Sequence, residues 1–246
     1  MKPHQESKPK PKKSAGTIYV PNVDEFDGSL PAVAIDLSGA HSDVAPNGTG
    51  YAQRNRGGVA AMARDVTQTE AADWALAYFT QVRAAGETCA NLILEGPLSW
   101  AFSSQGNENR LNAVVRSVER RANYADDLCE SERDRPWTLN AGASTSLMGQ
   151  ILLKNLAGQI PQGLRVSLFE GFWSWIAKPS RHHAVASGLL AGLAQGNNRI
   201  VTLPALAQVR YETTLQFLQI PAVHAERPPL IVFGHQLLAD NYHPQA

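Results

Sequence analysis

Three short apolar runs in this chain end in the same way. AVAIDL (32–37) carries Asp36 just ahead of Ser38-Gly39, NLIL (91–94) leads into Glu95-Gly96, and LRVSLF (164–169) leads into Glu170-Gly171. Apolar runs of this length, bounded by turn residues, read as strands buried on both faces. Such strands belong to a parallel or mixed sheet covered by helices on both sides. The expected fold class is therefore α/β. In an open α/β sheet the carboxyl ends of parallel strands border the crevice where ligands bind, so Asp36, Glu95 and Glu170 are expected to converge there.

Crowded carboxylates raise one another's pKa unless a cation lies between them. Hard oxygen donors suit Mg²⁺ or Mn²⁺, and such an ion can activate water and stabilise the leaving oxygen of a phosphodiester. The competing reading is that each acid caps a neighbouring helix or pairs with an arginine near its strand end. His182 and His183 open the helix that follows the third run, and His183 is the expected imidazole ligand or proton-transfer group. The inward face of that helix is expected to run His183, Ser187, Leu190.

Between the runs, 48–55 and 58–66 read as a hairpin around Arg56-Gly57. A helix over 69–85 is expected from Ala72, Ala75, Leu76, Phe79 and Val82, with Thr69 as its cap and Gly86 at its end. Further helices are expected over 109–124, 143–156 and 181–194. Ile200–Leu203 and Pro229–Phe233 read as late extended segments, with a helical stretch near 205–218. Within 109–124, Arg116 and Arg120 share a face and, with Arg135, are candidate phosphate contacts; a plain solvated helix surface is the alternative.

The 246 residues balance 22 Lys+Arg against 22 Asp+Glu. Residues 1–15 hold five Lys and one Glu, leaving 17 basic and 21 acidic side chains in the rest. A basic arm on an acidic body argues against nucleic-acid binding over the whole surface and leaves local contacts open. Residues 1–16 read as a disordered basic tail, and 17–246 as one domain with a C-terminal extension from about 197. No run approaches the roughly 20 apolar residues of a membrane helix, and the start lacks a secretory apolar core. Cys89 and Cys129 form no metal or redox spacing, and Cys89 reads as a small buried apolar side chain. Together these give a cytoplasmic expectation. No G-x-S-x-G, P-loop or G-x-G-x-x-G motif is present, which lowers serine hydrolases, P-loop NTPases and Rossmann dehydrogenases.

The segments AIDLSG (34–39), ILEGPLS (93–99), RPWTLNAG (135–142), LFEGFWSW (168–175) and HHAVASGLLAGL (182–193), in that order, resemble the ribonuclease H-like fold, and within it the predicted nucleases of the DUF429 family. The resemblance covers roughly 32–195. It implies an RNase H-like mixed sheet flanked by helices and a metal-dependent nuclease. Its first-strand and fourth-strand acids would be Asp36 and Glu95, and its later acid Glu170. The last helix departs from the pattern: Ser187-Gly188-Leu189 stands where the family usually carries an Asp before Ala-Leu. His183, one turn earlier, is the expected substitute.

Two functions remain open on this reading. One is a nuclease or phosphodiesterase in which Asp36, Glu95 and His183 hold Mg²⁺ or Mn²⁺ and Glu170 assists. The other is a non-enzymatic subunit of the same fold, with Trp100, Trp137, Trp173 and Trp175 facing a protein partner or a second copy, although Trp173 and Trp175 alternate as in a strand and read more readily as core.

Overall fold

The computed structural model describes residues 16–21, 25–37, 48–58, 60–95, 101–103, 112–114, 139–172, 181–195, 198–201 and 230–233. In chain order these form β1 (Thr17–Tyr19), β2 (Ala32–Leu37), β3 (Thr49–Arg54), β4 (Ala60–Val66), α1 (Gln68–Ala84), β5 (Cys89–Glu95), β6 (Ala101–Ser103), β7 (Asn112–Val114), α2 (Leu139–Leu156), β8 (Arg165–Phe172), α3 (His182–Gln195), β9 (Asn198–Val201) and β10 (Leu230–Phe233). The fold is α/β with a mixed sheet in the order β4-β3-β2-β5-β8-β10-β9, and β1 also pairs with β8. β2, β5, β8 and β10 run parallel, whereas β2-β3-β4 form an antiparallel meander. No helix among the described residues is long and apolar enough to cross a membrane.

The apolar runs form the centre because they can bury both faces. Val33, Ile35, Leu37, Leu92, Leu94, Val166 and Leu168 point to one side, where they meet α1 and the buried Leu152, Leu153 and Leu156 of α2. The alternate residues Ala32, Ala34, Ala52, Ile93 and Phe169 point to the other side and meet Ala186, Leu189, Leu190 and Leu193 of α3. The strand period of two assigns each residue to its layer. The α3 side is paved with alanines near β2 and β3, so this helix can approach the sheet closely.

Several boundaries differ from expectation for local reasons. α1 is capped by Thr67, not Thr69. The Thr67 side chain accepts from the Glu70 N–H and the Glu70 carboxylate accepts from the Thr67 N–H, a reciprocal arrangement that satisfies two helix-start donors. Gly86 follows the helix with φ 93°, a conformation that favours glycine. Within the stretch expected to be helical, Asn112–Val114 pairs as a strand with Ala101–Ser103. The remainder of 109–124 and all of 205–218 lie outside the described residues. β8 runs on to Phe172, so Glu170 stands inside a strand instead of after it. Cys89 is partly exposed at the start of β5.

Arg54, at the end of β3, is 1% exposed. Its guanidinium donates to the carbonyls of Gly28, Leu30 and Leu190, the last at 3.2 Å, so it ties α3 to the turn ahead of β2. Truncation to alanine strands these buried acceptors while relieving a buried charge. The expected net loss is about 3 kcal/mol of unfolding free energy, to be read from chemical denaturation. A change within about 0.5 kcal/mol, as at an ordinary surface position, would contradict this role.

Candidate functional site

One row of residues crosses the sheet near the carboxyl ends of β2 and β5. Register pairs Asp65 of β4 with Gly50 of β3, Gly50 with Asp36 of β2, Asp36 with Glu95 of β5, and Glu95 with Gly171 of β8. Residues directly opposite one another share a face, so Asp36, Glu95 and Asp65 all lie on the α3 side. Glu170 pairs with Leu94 and projects from the other face, into the layer of α1 and α2. The pleat thus separates it from Asp36 and Glu95, and the expected convergence of three strand acids reduces to these two.

The start of α3 is seated over Gly50. A Cβ there would fall 2.1 Å from the His182 carbonyl oxygen and 2.8 Å from the His183 nitrogen, so only a residue without a side chain admits the helix. From this seat the two histidines diverge. His182 Nδ1 lies 2.7 Å from Asp36 Oδ2. The His183 N–H donates to Asp65 Oδ1 at 2.6 Å, and its ring Nδ1 lies 3.0 Å from the same oxygen. Asp65 therefore satisfies one of the amide donors that a helix start leaves open. Arg181 NH1 stands 3.8 Å from Asp65 Oδ2, with a side chain 66% exposed.

The inward face of α3 runs His182, Ala186, Leu189/Leu190, Leu193, one residue out of step with the expected His183, Ser187, Leu190. Ser187 is half-buried. This offset is why His182 meets Asp36 and His183 goes to Asp65. The imidazole side chains are 42% and 38% exposed, while those of Asp36 and Asp65 are 9% and 8% exposed. In each pair a buried carboxylate takes Nδ1 and leaves Nε2 as the ring nitrogen for chemistry.

The electrostatics follow from this burial. Burial pushes the Asp36 carboxyl up, with the hydrogen bond from His182 opposing it. That same hydrogen bond holds His182 above the ordinary imidazole value against its own burial, helped by the charges of Asp36 and Asp65. Both shifts favour keeping one proton within the pair, and the His182 direction decides the chemistry because the carboxylate fixes where that proton sits. Partial burial raises Asp65, but the backbone and ring hydrogen bonds from His183 outweigh it and hold the carboxyl below its usual range.

Of the donors expected to hold Mg²⁺ or Mn²⁺, the sheet brings only Asp36 and Glu95 side by side. Asp36 Oδ2 is engaged by His182, His183 is turned to Asp65, and Glu170 is on the opposite face. Among the described residues no three His, Cys, Asp or Glu are gathered to hold an ion. Arg116, Arg120, Arg135, Trp100, Trp137, Trp173 and Trp175 lie outside the described residues.

Compared with protein-family models, with curated proteins and with solved structures, the chain finds no match.

Sequence reasoning missed Asp65, Gly50 and the role of His182. Asp65 lies in AAMARDV, an edge strand of half-exposed residues that lacks an apolar run leading to a carboxylate. The usable signal was the hairpin register, which sets Asp65 opposite Gly50 and Gly50 opposite Asp36.

Proposed function

We propose that this chain is a nuclease that cleaves phosphodiester bonds at the row formed by Asp36, Glu95 and the start of α3, with His182 as general acid. The observation that carries it is the 2.7 Å contact between buried Asp36 and half-exposed His182. A carboxylate that fixes one ring nitrogen and raises the imidazole's proton affinity leaves the other nitrogen ready to protonate a leaving oxygen. Arg181, exposed at the start of α3, brings positive charge to the row for an anionic substrate. An RNase H-like reading is supported by the antiparallel β2-β3-β4 meander followed by parallel β5 and β8. Glu95 supplies the second carboxylate at the floor of the site. No step is assigned to a metal.

The test is cleavage of labelled single- and double-stranded DNA and RNA oligonucleotides, each with Mg²⁺, with Mn²⁺ and with a chelator. Cleavage is expected, and His182→Gln is expected to reduce its rate by about 10²–10⁴-fold. Intact substrates under every condition, with a folded protein by circular dichroism, would overturn the reading in favour of a non-enzymatic subunit.

A further inference from the structure

We infer that Asp65 and His183 form a second proton-transfer pair in this site, acting as general base, and that the bond broken is an RNA phosphodiester attacked by its own neighbouring 2′-hydroxyl. This rests on the nuclease reading above and names its substrate class and its second catalytic group.

Three observations carry the inference. First, the two carboxylate–imidazole pairs are alike in build: each joins a nearly buried aspartate to a half-exposed histidine through Nδ1, at 2.7 Å and 3.0 Å. Second, they sit side by side at the start of α3, whose backbone is seated between the two aspartates over Gly50. Their aspartates stand on either side of Gly50, two strand spacings or roughly 10 Å apart, and their histidines are consecutive residues with Cα atoms about 3.8 Å apart. Third, Asp36 is engaged by His182 through Oδ2 and His183 is turned to Asp65, so an acid and a base stand together here without calling on a metal-bound nucleophile. RNA brings its own nucleophile, the hydroxyl on the ribose carbon next to the one that carries the 3′-phosphate, a group that DNA lacks.

The step balances without a co-reactant. His183 Nε2 takes the proton of the 2′-hydroxyl as O2′ bonds to phosphorus. The P–O5′ bond breaks, and the departing O5′ takes a proton from His182 Nε2. The products are a 2′,3′-cyclic phosphate and a 5′-hydroxyl, leaving His183 protonated and His182 neutral until proton exchange with water restores both.

The experiment uses the full chain, a chelator, and a short RNA with one cleavable linkage prepared in three forms: native, 2′-deoxy, and with sulfur replacing the bridging 5′-oxygen. The native linkage is expected to yield the cyclic phosphate, and the 2′-deoxy linkage to react at least about 100-fold more slowly. Sulfur leaves without being protonated, so it should restore cleavage by His182→Gln and not by His183→Gln, a division that a structural role for His183 would not produce. Asp65→Asn keeps an acceptor for the His183 N–H and is expected to retain the fold while losing activity like His183→Gln. Equal cleavage of native and 2′-deoxy linkages, products ending in 5′-phosphate, or restoration of His183→Gln by sulfur would overturn the inference while the nuclease reading stands. Failure to cleave any substrate, with or without metal, would remove both.

Discussion

Gly50→Ala is expected to lower the unfolding free energy by about 3 kcal/mol, at the upper end of overpacking penalties. The added methyl group would fall on the His182 carbonyl and the His183 nitrogen, and backbone atoms cannot rotate away as a flexible side chain can. Relief requires lifting the start of α3, which breaks the Asp36–His182 and Asp65–His183 contacts together. For a chain of this size the loss corresponds to a melting temperature lower by roughly 6–12 °C, and the proposed nuclease activity should fall with it. Gly58→Ala is the control, since a Cβ there meets only Asn55, at ordinary contact distance; its change should stay within about 0.5 kcal/mol. If both variants melt alike, α3 is not seated on Gly50.

The second large effect is on pH dependence. The hydrogen bond to Asp36 raises His182, and the folded value lies above the unfolded imidazole value of about 6.5. The stability from this pair is therefore fully present below about pH 6.5 and lost as pH rises through the folded value. A general acid must be protonated, so activity should fall over that same alkaline limb. Asp36 and Asp65 act on the ring, Asp36 most strongly, while His183 and Arg181 are paired with Asp65. Asp36→Asn should shift the falling limb to lower pH, toward about 6.5, and reduce the rate at neutral pH. Imidazole titration by NMR, alongside the pH–rate profile, checks this. A limb that stays in place in Asp36→Asn would show that His182 is not the titrating acid. Asp65 acts in the opposite sense: its lowered value gives stability above about pH 3.9 that is lost as pH falls through the folded value.

The layered α/β fold was legible because buried strands must be apolar on both faces, and AVAIDL and NLIL could be little else. The positions of Asp36 and Glu95 followed, since Glu95 is the last residue of its strand and Asp36 the last but one. Glu170 misled because the apolar run seemed to stop before it. β8 continues through it, and inside a strand a one-residue offset moves a side chain to the opposite layer. The histidine assignment failed for a similar reason on a helix. Choosing Ser187 as an inward residue rotated the helix by one position, whereas the packing of Ala186, Leu189 and Leu193 fixes the rotation that brings His182 to Asp36. Asp65 was hidden because partnership across a meander depends on hairpin register, and no pattern within its own strand signals it.

The far edge of β8 carries one more consequence. β1 lies beside Arg165–Ser167 and β10 beside Glu170–Phe172, both parallel to β8 and opposite the edge that β5 occupies. During synthesis the first strand of the sheet therefore emerges with no partner and waits until most of the chain has left the ribosome, while the same β8 edge is completed later still by β10. Such long-range parallel pairing slows folding, because loop closure must precede any gain from the contact. Until then the nascent chain exposes open strand edges of the kind that invite pairing with other chains.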